Sequence, residues 1–349
     1  MENNNYGYGY GMNPYPPKKK LMERIKEYFL EDRYIVLSAI ATVIGLCIVV
    51  YQFMSMIYAF IIRSVPGLMD SYLNNYMLST TIEMFYTVIC VGGPFFIAYI
   101  FMRKIKIIDE PLPFGKPYSY SEAIILIIAG LGLCFIGNIV TGIFASAMSS
   151  VGIEFYSYNA ALEITQELPK NAFEFICMVV HTAVLPAVFE EFAFRGVVMQ
   201  PLRKYGDFFA IFVSAVLFGL VHGNMTQMPF AIIAGFALGY SATVTGSLWT
   251  GVIIHFFNNF ISLMNSFAKS YLPETRFMLF SVITVYGLIA VGVVAAAMYV
   301  HGKPEFLHLR FGKYGKHKAG RLAGIMVFIP SMAIALIWMM INIVGDMYI

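Results

Sequence analysis

Pro186-Ala-Val-Phe-Glu-Glu-Phe-Ala-Phe-Arg-Gly196 is the stretch on which the reading of this chain turns. Two adjacent carboxylates, Glu190 and Glu191, and one guanidinium, Arg195, interrupt a run that is otherwise apolar. Ionisable groups at membrane depth are costly unless paired, so they are rarely incidental. Helical residues turn by about 100° each, so Glu191 and Arg195, at i and i+4, share a face and can neutralise one another. Glu190 points about 140° away from Arg195 and has no partner in its own helix. Such an acid must be protonated, face another polar helix, or face water, which makes it a candidate general base. Pro186 removes one helical hydrogen bond and predicts a kink just ahead of the acids. The plainer alternative makes both glutamates an interfacial anchor near Arg203 and Lys204.

The surrounding chain is apolar. Of 349 residues, 59% are hydrophobic and 12% charged, with a mean hydropathy of +0.72. A soluble domain carries roughly twice that charged fraction. The expected fold class is all-α, a polytopic membrane helical bundle of about eight or nine transmembrane helices. Nine apolar spans are read near 34–62, 77–102, 121–148, 172–194, 207–223, 226–244, 248–268, 277–300 and 322–345. Capping boxes mark two starts, Ser119 with Glu122 and Asn171 with Glu174. The four cysteines, Cys47, Cys90, Cys134 and Cys177, fall in separate apolar runs and read as buried thiols. No cleavable signal peptide, nucleotide-binding loop, soluble domain or internal repeat is visible.

Four segments follow from this pattern. Residues 1–33 comprise a Gly/Tyr/Asn-rich tail, expected to be disordered, and a basic juxtamembrane stretch suited to an anionic lipid surface. Residues 34–170 hold the first transmembrane helices, 171–265 the segment with candidate chemistry, and 266–349 the last helices with a basic loop. Lys and Arg concentrate in the N-terminal segment and in the 103–116, 195–204 and 303–321 loops. The 63–76 and 149–171 loops avoid them, the latter carrying Glu154, Glu163 and Glu167. This alternation predicts a multi-pass cell-membrane protein with a cytoplasmic N-terminus and an external C-terminus.

Two further spans offer polar groups. The fifth ends in Phe218-Gly-Leu-Val-His222. The seventh carries His255-Phe-Phe-Asn-Asn259, in which His255 and Asn259 share a face. Asn258 is expected on another face, packing or hydrogen-bonding locally. His181 lies nine residues before Glu190 and reads as interhelical packing; His301, His308 and His317 read as solvated. A carboxylate with two imidazoles and an amide suits activation of water and stabilisation of an oxyanion. Glu190, His222 and His255 could instead ligate a divalent metal such as zinc, though the HExxH helix of soluble zinc proteases is absent. The depths look mismatched. Glu190 would lie about 28 Å along the fourth span and His222 about 23 Å along the fifth, counted from opposite sides. Tilt or a shifted helix end would reconcile them, giving a site set in from the cytoplasmic face.

Glu-Glu-x-x-x-Arg, Phe-x-x-x-His and His-x-x-x-Asn, in that order, resemble the CPBP family, the CAAX-protease and bacteriocin-processing group of glutamate intramembrane proteases. That group is related to type II CAAX prenyl endopeptidases. The resemblance covers about residues 170–265. It implies a conical catalytic cavity in which Glu190 and His222 activate the attacking water. By the same resemblance Glu191 and Arg195 form a supporting pair, and His255 and Asn259 hold the oxyanion. The family is often labelled metalloprotease, yet its mechanism is also argued without a metal. The implied substrate is a membrane-associated peptide or protein, prenylated or of leader type; the bilayer is a partner and nucleic acid is not. Two other readings remain at this point: a proton- or ion-coupled transporter, which places similar residues at mid-membrane, and a non-catalytic membrane adaptor of the same fold. Missing inverted repeats and intact motifs favour the intramembrane endopeptidase.

Overall fold

The computed structural model describes residues 32–155, 169–302, 309 and 319–348. The Gly/Tyr/Asn-rich tail, Glu163, Glu167, His308, His317 and most of the basic 303–321 loop lie outside the described residues.

All nine apolar stretches are helical. They form α1 (Arg33–Ser64), α3 (Tyr76–Lys104), α4 (Tyr120–Ser149), α5 (Ala172–Tyr205), α6 (Asp207–Val221), α7 (Met228–Thr245), α8 (Leu248–Tyr271), α9 (Glu274–Gly302) and the pair α10 (Ala319–Val327) and α11 (Pro330–Gly345). A short helix, α2 (Leu68–Asn74), joins α1 to α3. Both expected N-caps form: Ser119 Oγ accepts from Glu122 N, and Asn171 Oδ1 accepts from Glu174 N while Glu174 takes Asn171 Nδ2. Asp32 caps α1 in the same way. The chain is a multi-pass, all-α membrane bundle. Six helices are long and apolar enough to cross a bilayer, or up to seven with the α10–α11 pair. The expected eight or nine differ because of α6 and α8. At 15 residues, α6 measures about 22 Å, short of the roughly 30 Å hydrocarbon core. In α8 the apolar run is broken by His255, Asn258, Asn259, Ser262 and Asn265.

Two expected boundaries are corrected. The last span is not one straight helix: α10 and α11 meet at 86°. Pro330 opens α11 and Ile329 before it is extended, as a residue preceding proline prefers. The fourth span does not end at 194 with Arg195 in a basic loop. It continues as α5 to Tyr205, because Arg195 is neutralised inside the helix and never needs to leave it. At the tip, Arg203 pairs with Asp207 at 2.6 Å and Lys204 with Asp109 at 3.0 Å. The chain reverses through Gly206, whose φ of 123° suits glycine.

Polar contacts at the helix ends fix the alternation. Tyr205 donates to Arg33 O, so α1 begins where α5 ends. The 105–119 segment lies over the α7–α8 turn, with Leu248 N bonded to Pro113 O and Tyr118 N to Thr245 O. On the opposite side a two-residue antiparallel ladder joins β1 (Glu154–Phe155) to β2 (Met347–Tyr348), just past α11. The described chain therefore starts and finishes on opposite faces. Small residues allow close crossings: a Cβ on Gly132 of α4 would sit 2.7 Å from Gly292 of α9. Cys47, Cys90 and Cys134 are buried free thiols and Cys177 is half-buried.

Candidate active site

The lengthened α5 removes the mismatch in depth. Glu190 lies sixteen residues before Gly206 and His222 sixteen after it (206 − 190 and 222 − 206). In a hairpin folded at Gly206 both fall about 24 Å from the turn. They line one cavity of about 290 Å³ with His255, Asn258 and Asn259. Three helices thus bring the predicted residues together. Glu190 faces the cavity at 23% exposure, while Glu191 and Arg195 are wholly buried behind it.

Two π-helical segments of α5, Val180–Val184 and Phe192–Val198, bracket the two acids. Wide turns of this kind recur at functional sites. The first has a visible cause. Pro186 has no N–H for the carbonyl four residues earlier, that of Thr182. Asn259 Nδ2 of α8 takes that carbonyl at 3.2 Å. The expected kink is therefore a docking point, and Asn259 is oriented by it. The second segment is tied to its neighbours: Ser214 Oγ donates to Phe194 O at 2.9 Å and Gln200 Nε2 to Arg195 O at 3.2 Å.

Glu191 supports the site from behind. Its Oε1 lies 3.0 Å from Arg195 Nη1 and 3.1 Å from His255 Nδ1. The Arg195 contact is a charge contact: Nη1 and Nε aim no hydrogen bond at a partner, and Glu191 Oε2 accepts none. Arg195 Nη2 reaches Gly235 O at 3.4 Å. Burial of opposite charges without full hydrogen bonding depends on their mutual attraction. Gly251 makes the approach possible, because a Cβ there would sit 2.8 Å from Glu191 Oε2.

Phe218 joins the parts. Its ring lies 4.3 Å under the Arg195 guanidinium, 5.0 Å from the His222 ring and 5.9 Å from the His255 ring, edge-on to both. His222 Nδ1 is 2.7 Å from Phe218 O and must donate to it, since a carbonyl only accepts. Nε2 is left as the free nitrogen of His222. His255 Nε2 lies 3.8 Å from Glu190 Oε2. His255 is therefore suspended between the two acids.

Asn258 hydrogen-bonds locally, as expected, donating to Asn259 Oδ1 at 3.1 Å, and it also lines the cavity. The cavity is wide enough to reach both neighbours on the helix. His181 packs between helices with a polar partner, its Nε2 lying 2.9 Å from Glu83 Oε2 of α3, where Tyr72 also bonds Glu83. Among the described residues no three His, Cys, Asp or Glu side chains converge to hold a metal ion. Phe218, Gly251 and Asn258 were not singled out from sequence as site residues. Phe218 opened the Phe-x-x-x-His motif and Asn258 stood beside Asn259, while Gly251 left no trace there.

Residues 172–261 match the family model described as type II CAAX prenyl endopeptidase Rce1-like. A 157-residue stretch is 25% identical to YdiL of Bacillus subtilis (strain 168), whose description is "putative membrane peptidase". That match covers 44% of this chain and 62% of the relative, so the chain spans less than two thirds of its length. No solved structure matches the chain. The likeness of the three motifs to the CAAX-protease group therefore holds across the segment that builds the cavity.

Proposed function

We propose that a chain carrying this family's pattern over residues 172–261 is an intramembrane endopeptidase. The observation that carries this reading is the convergence of Glu190, His222, His255 and Asn259 on one cavity. Glu190 is the acid in contact with that space, and Glu191 is sealed away as its support.

In this mechanism Glu190 takes a proton from a water molecule as the water oxygen adds to a peptide carbonyl carbon. His222 Nε2, unprotonated because Nδ1 serves Phe218 O, accepts the water's second hydrogen bond and orients it. The oxyanion faces His255 and Asn259. Asn259 spends one Nδ2 hydrogen on Thr182 O and has a second for the oxyanion. His255 donates to Glu191 through Nδ1, so it offers the oxyanion a proton on Nε2 only as the imidazolium. That state balances charge: Glu190 and Glu191 against Arg195 and His255. Collapse of the intermediate breaks the C–N bond, and Glu190 passes its proton to the leaving amine. The products are a new carboxylic acid and a new amine.

The substrate class is a peptide bond in a membrane-associated peptide or protein, prenylated or of leader type as in bacteriocin processing. Basic residues on the Gly206 side, Lys104, Lys116, Arg203 and Lys204 among them, support the reading in which that face and the N-terminus are cytoplasmic. The test is to purify the parent, Glu190→Ala and His222→Ala in detergent and incubate each with prenylated and leader peptides. Cleavage by the parent alone supports the reading. No cleavage, or equal cleavage by the variants, refutes it. Metal analysis of the same preparations answers whether an ion is retained.

A further inference from the structure

Glu190 and His222 line a second space besides the large cavity. It measures about 60 Å³ and is otherwise lined by Val91, Phe95, Phe194 and Val221 together with Tyr51 of α1. A space of about 10–15 Å³ is enough to hold one water, so this one admits water. A buried water needs two to four polar partners, and the walls offer three side chains: Glu190, His222 and Tyr51. The remaining walls are apolar, so a molecule held there has few other places to bond.

The phenol is itself held in place. Tyr86 Oη of α3 lies 3.4 Å from Tyr51 Oη, and Ser55 Oγ lies 2.7 Å from Tyr86 Oη. Three hydroxyls thus form a chain that ends at the small space. Ser55 Oγ also donates to the Tyr51 carbonyl at 2.9 Å, so the same three side chains fix the Tyr51 hydroxyl at the edge of the space. Tyr51 lies in α1, outside the 172–261 segment.

We infer that this compartment holds the hydrolytic water and that Tyr51 is a further residue of the hydrolytic site, bonding that water from the side away from the peptide. Glu190 and His222 are the wall common to both spaces. A water drawn from the small space reaches a carbonyl in the large one by passing between the two groups that activate it. Tyr51 bonds the water in its resting position and takes no proton in the reaction. The N-terminal helix is on this view part of the catalytic apparatus.

The inference rests on the endopeptidase reading, so its test separates the two. Tyr51→Phe removes one oxygen and keeps the ring. Tyr76→Phe, whose hydroxyl bonds Glu174 O elsewhere on α3, serves as control. Kinetics are measured on a peptide the parent cleaves. The infrared carboxyl or carboxylate band of Glu190 is identified by its loss in Glu190→Gln. The expected result is a fall in kcat by about tenfold or more with KM unchanged in Tyr51→Phe, a displaced Glu190 band, and neither effect in Tyr76→Phe. A Tyr51→Phe enzyme with parental kcat, or with low kcat and an unmoved band, overturns the role of Tyr51 and leaves proteolysis standing. A parent that cleaves nothing removes the endopeptidase reading and this inference with it.

Discussion

Replacing Glu191 by Gln should destabilise the protein far more than an uncharged-for-charged swap does on a surface. Glu191 and Arg195 are both fully buried and 3.0 Å apart. The substitution leaves the guanidinium with Gly235 O at 3.4 Å and the face of Phe218 at 4.3 Å, and no counter-charge at contact distance in its own helix. Breaking a buried pair from one side costs about 3–5 kcal/mol, chiefly the penalty of the stranded charge. The remedy is specific: Glu191→Gln with Arg195→Met leaves no charge to strand, and an apolar group of similar length fills the same volume. The double variant should therefore recover roughly 2 kcal/mol or more of the single variant's loss. Denaturant unfolding in detergent micelles, read by tryptophan fluorescence and circular dichroism, measures all four members of the cycle and needs no substrate. If the double variant is as unstable as the sum of the singles, the two side chains are uncoupled, and the supporting role of the pair is wrong.

Gly251→Ala puts a methyl 2.8 Å from Glu191 Oε2; overpacking of this size should cost about 1–3 kcal/mol and is read as a lower melting temperature, with activity falling further as His255 loses its bond to Glu191. Asn259→Leu strands the Thr182 carbonyl, at a cost of about 1–3 kcal/mol, and adding Pro186→Ala, which returns a helical N–H, should restore part of the loss in the same melt. Phe218→Leu keeps an apolar side chain but removes the ring under Arg195 and between His222 and His255. It should lower kcat with little change in KM in a peptide-cleavage assay.

How much of this was legible in the sequence depended on chemistry rather than on position. Glu190, Glu191, Arg195, His222, His255 and Asn259 stood out because polar groups are scarce in an apolar chain, and the helical spacing of Glu191 with Arg195 and of His255 with Asn259 already implied shared faces. The end of α5 was not legible. Hydropathy counts Arg195 as the start of a loop, whereas the folded helix hides it beside Glu191 and runs on to Tyr205. That misplaced end also produced the apparent difference in depth between Glu190 and His222. Pro186 and Asn259 each carried a local meaning, a kink and a polar face. Their connection through Thr182 spans seventy-three residues (259 − 186) and exists only once α5 and α8 pack. Phe218 and Tyr51 are aromatic residues in apolar runs, where a packing residue and a site residue look alike. Gly251 matters through the side chain it lacks, which no hydrophobic pattern records.

The most direct measurement compares the parent with Glu190→Gln, reconstituted in lipid vesicles, on one peptide identified as a substrate by mass spectrometry. Glutamine keeps the shape and hydrogen-bonding reach of Glu190 and removes its capacity to accept a proton. The account predicts cleavage by the parent and a loss of about 10²–10⁴-fold in kcat for the variant, with folding intact. A variant that cleaves at the parental rate would contradict it.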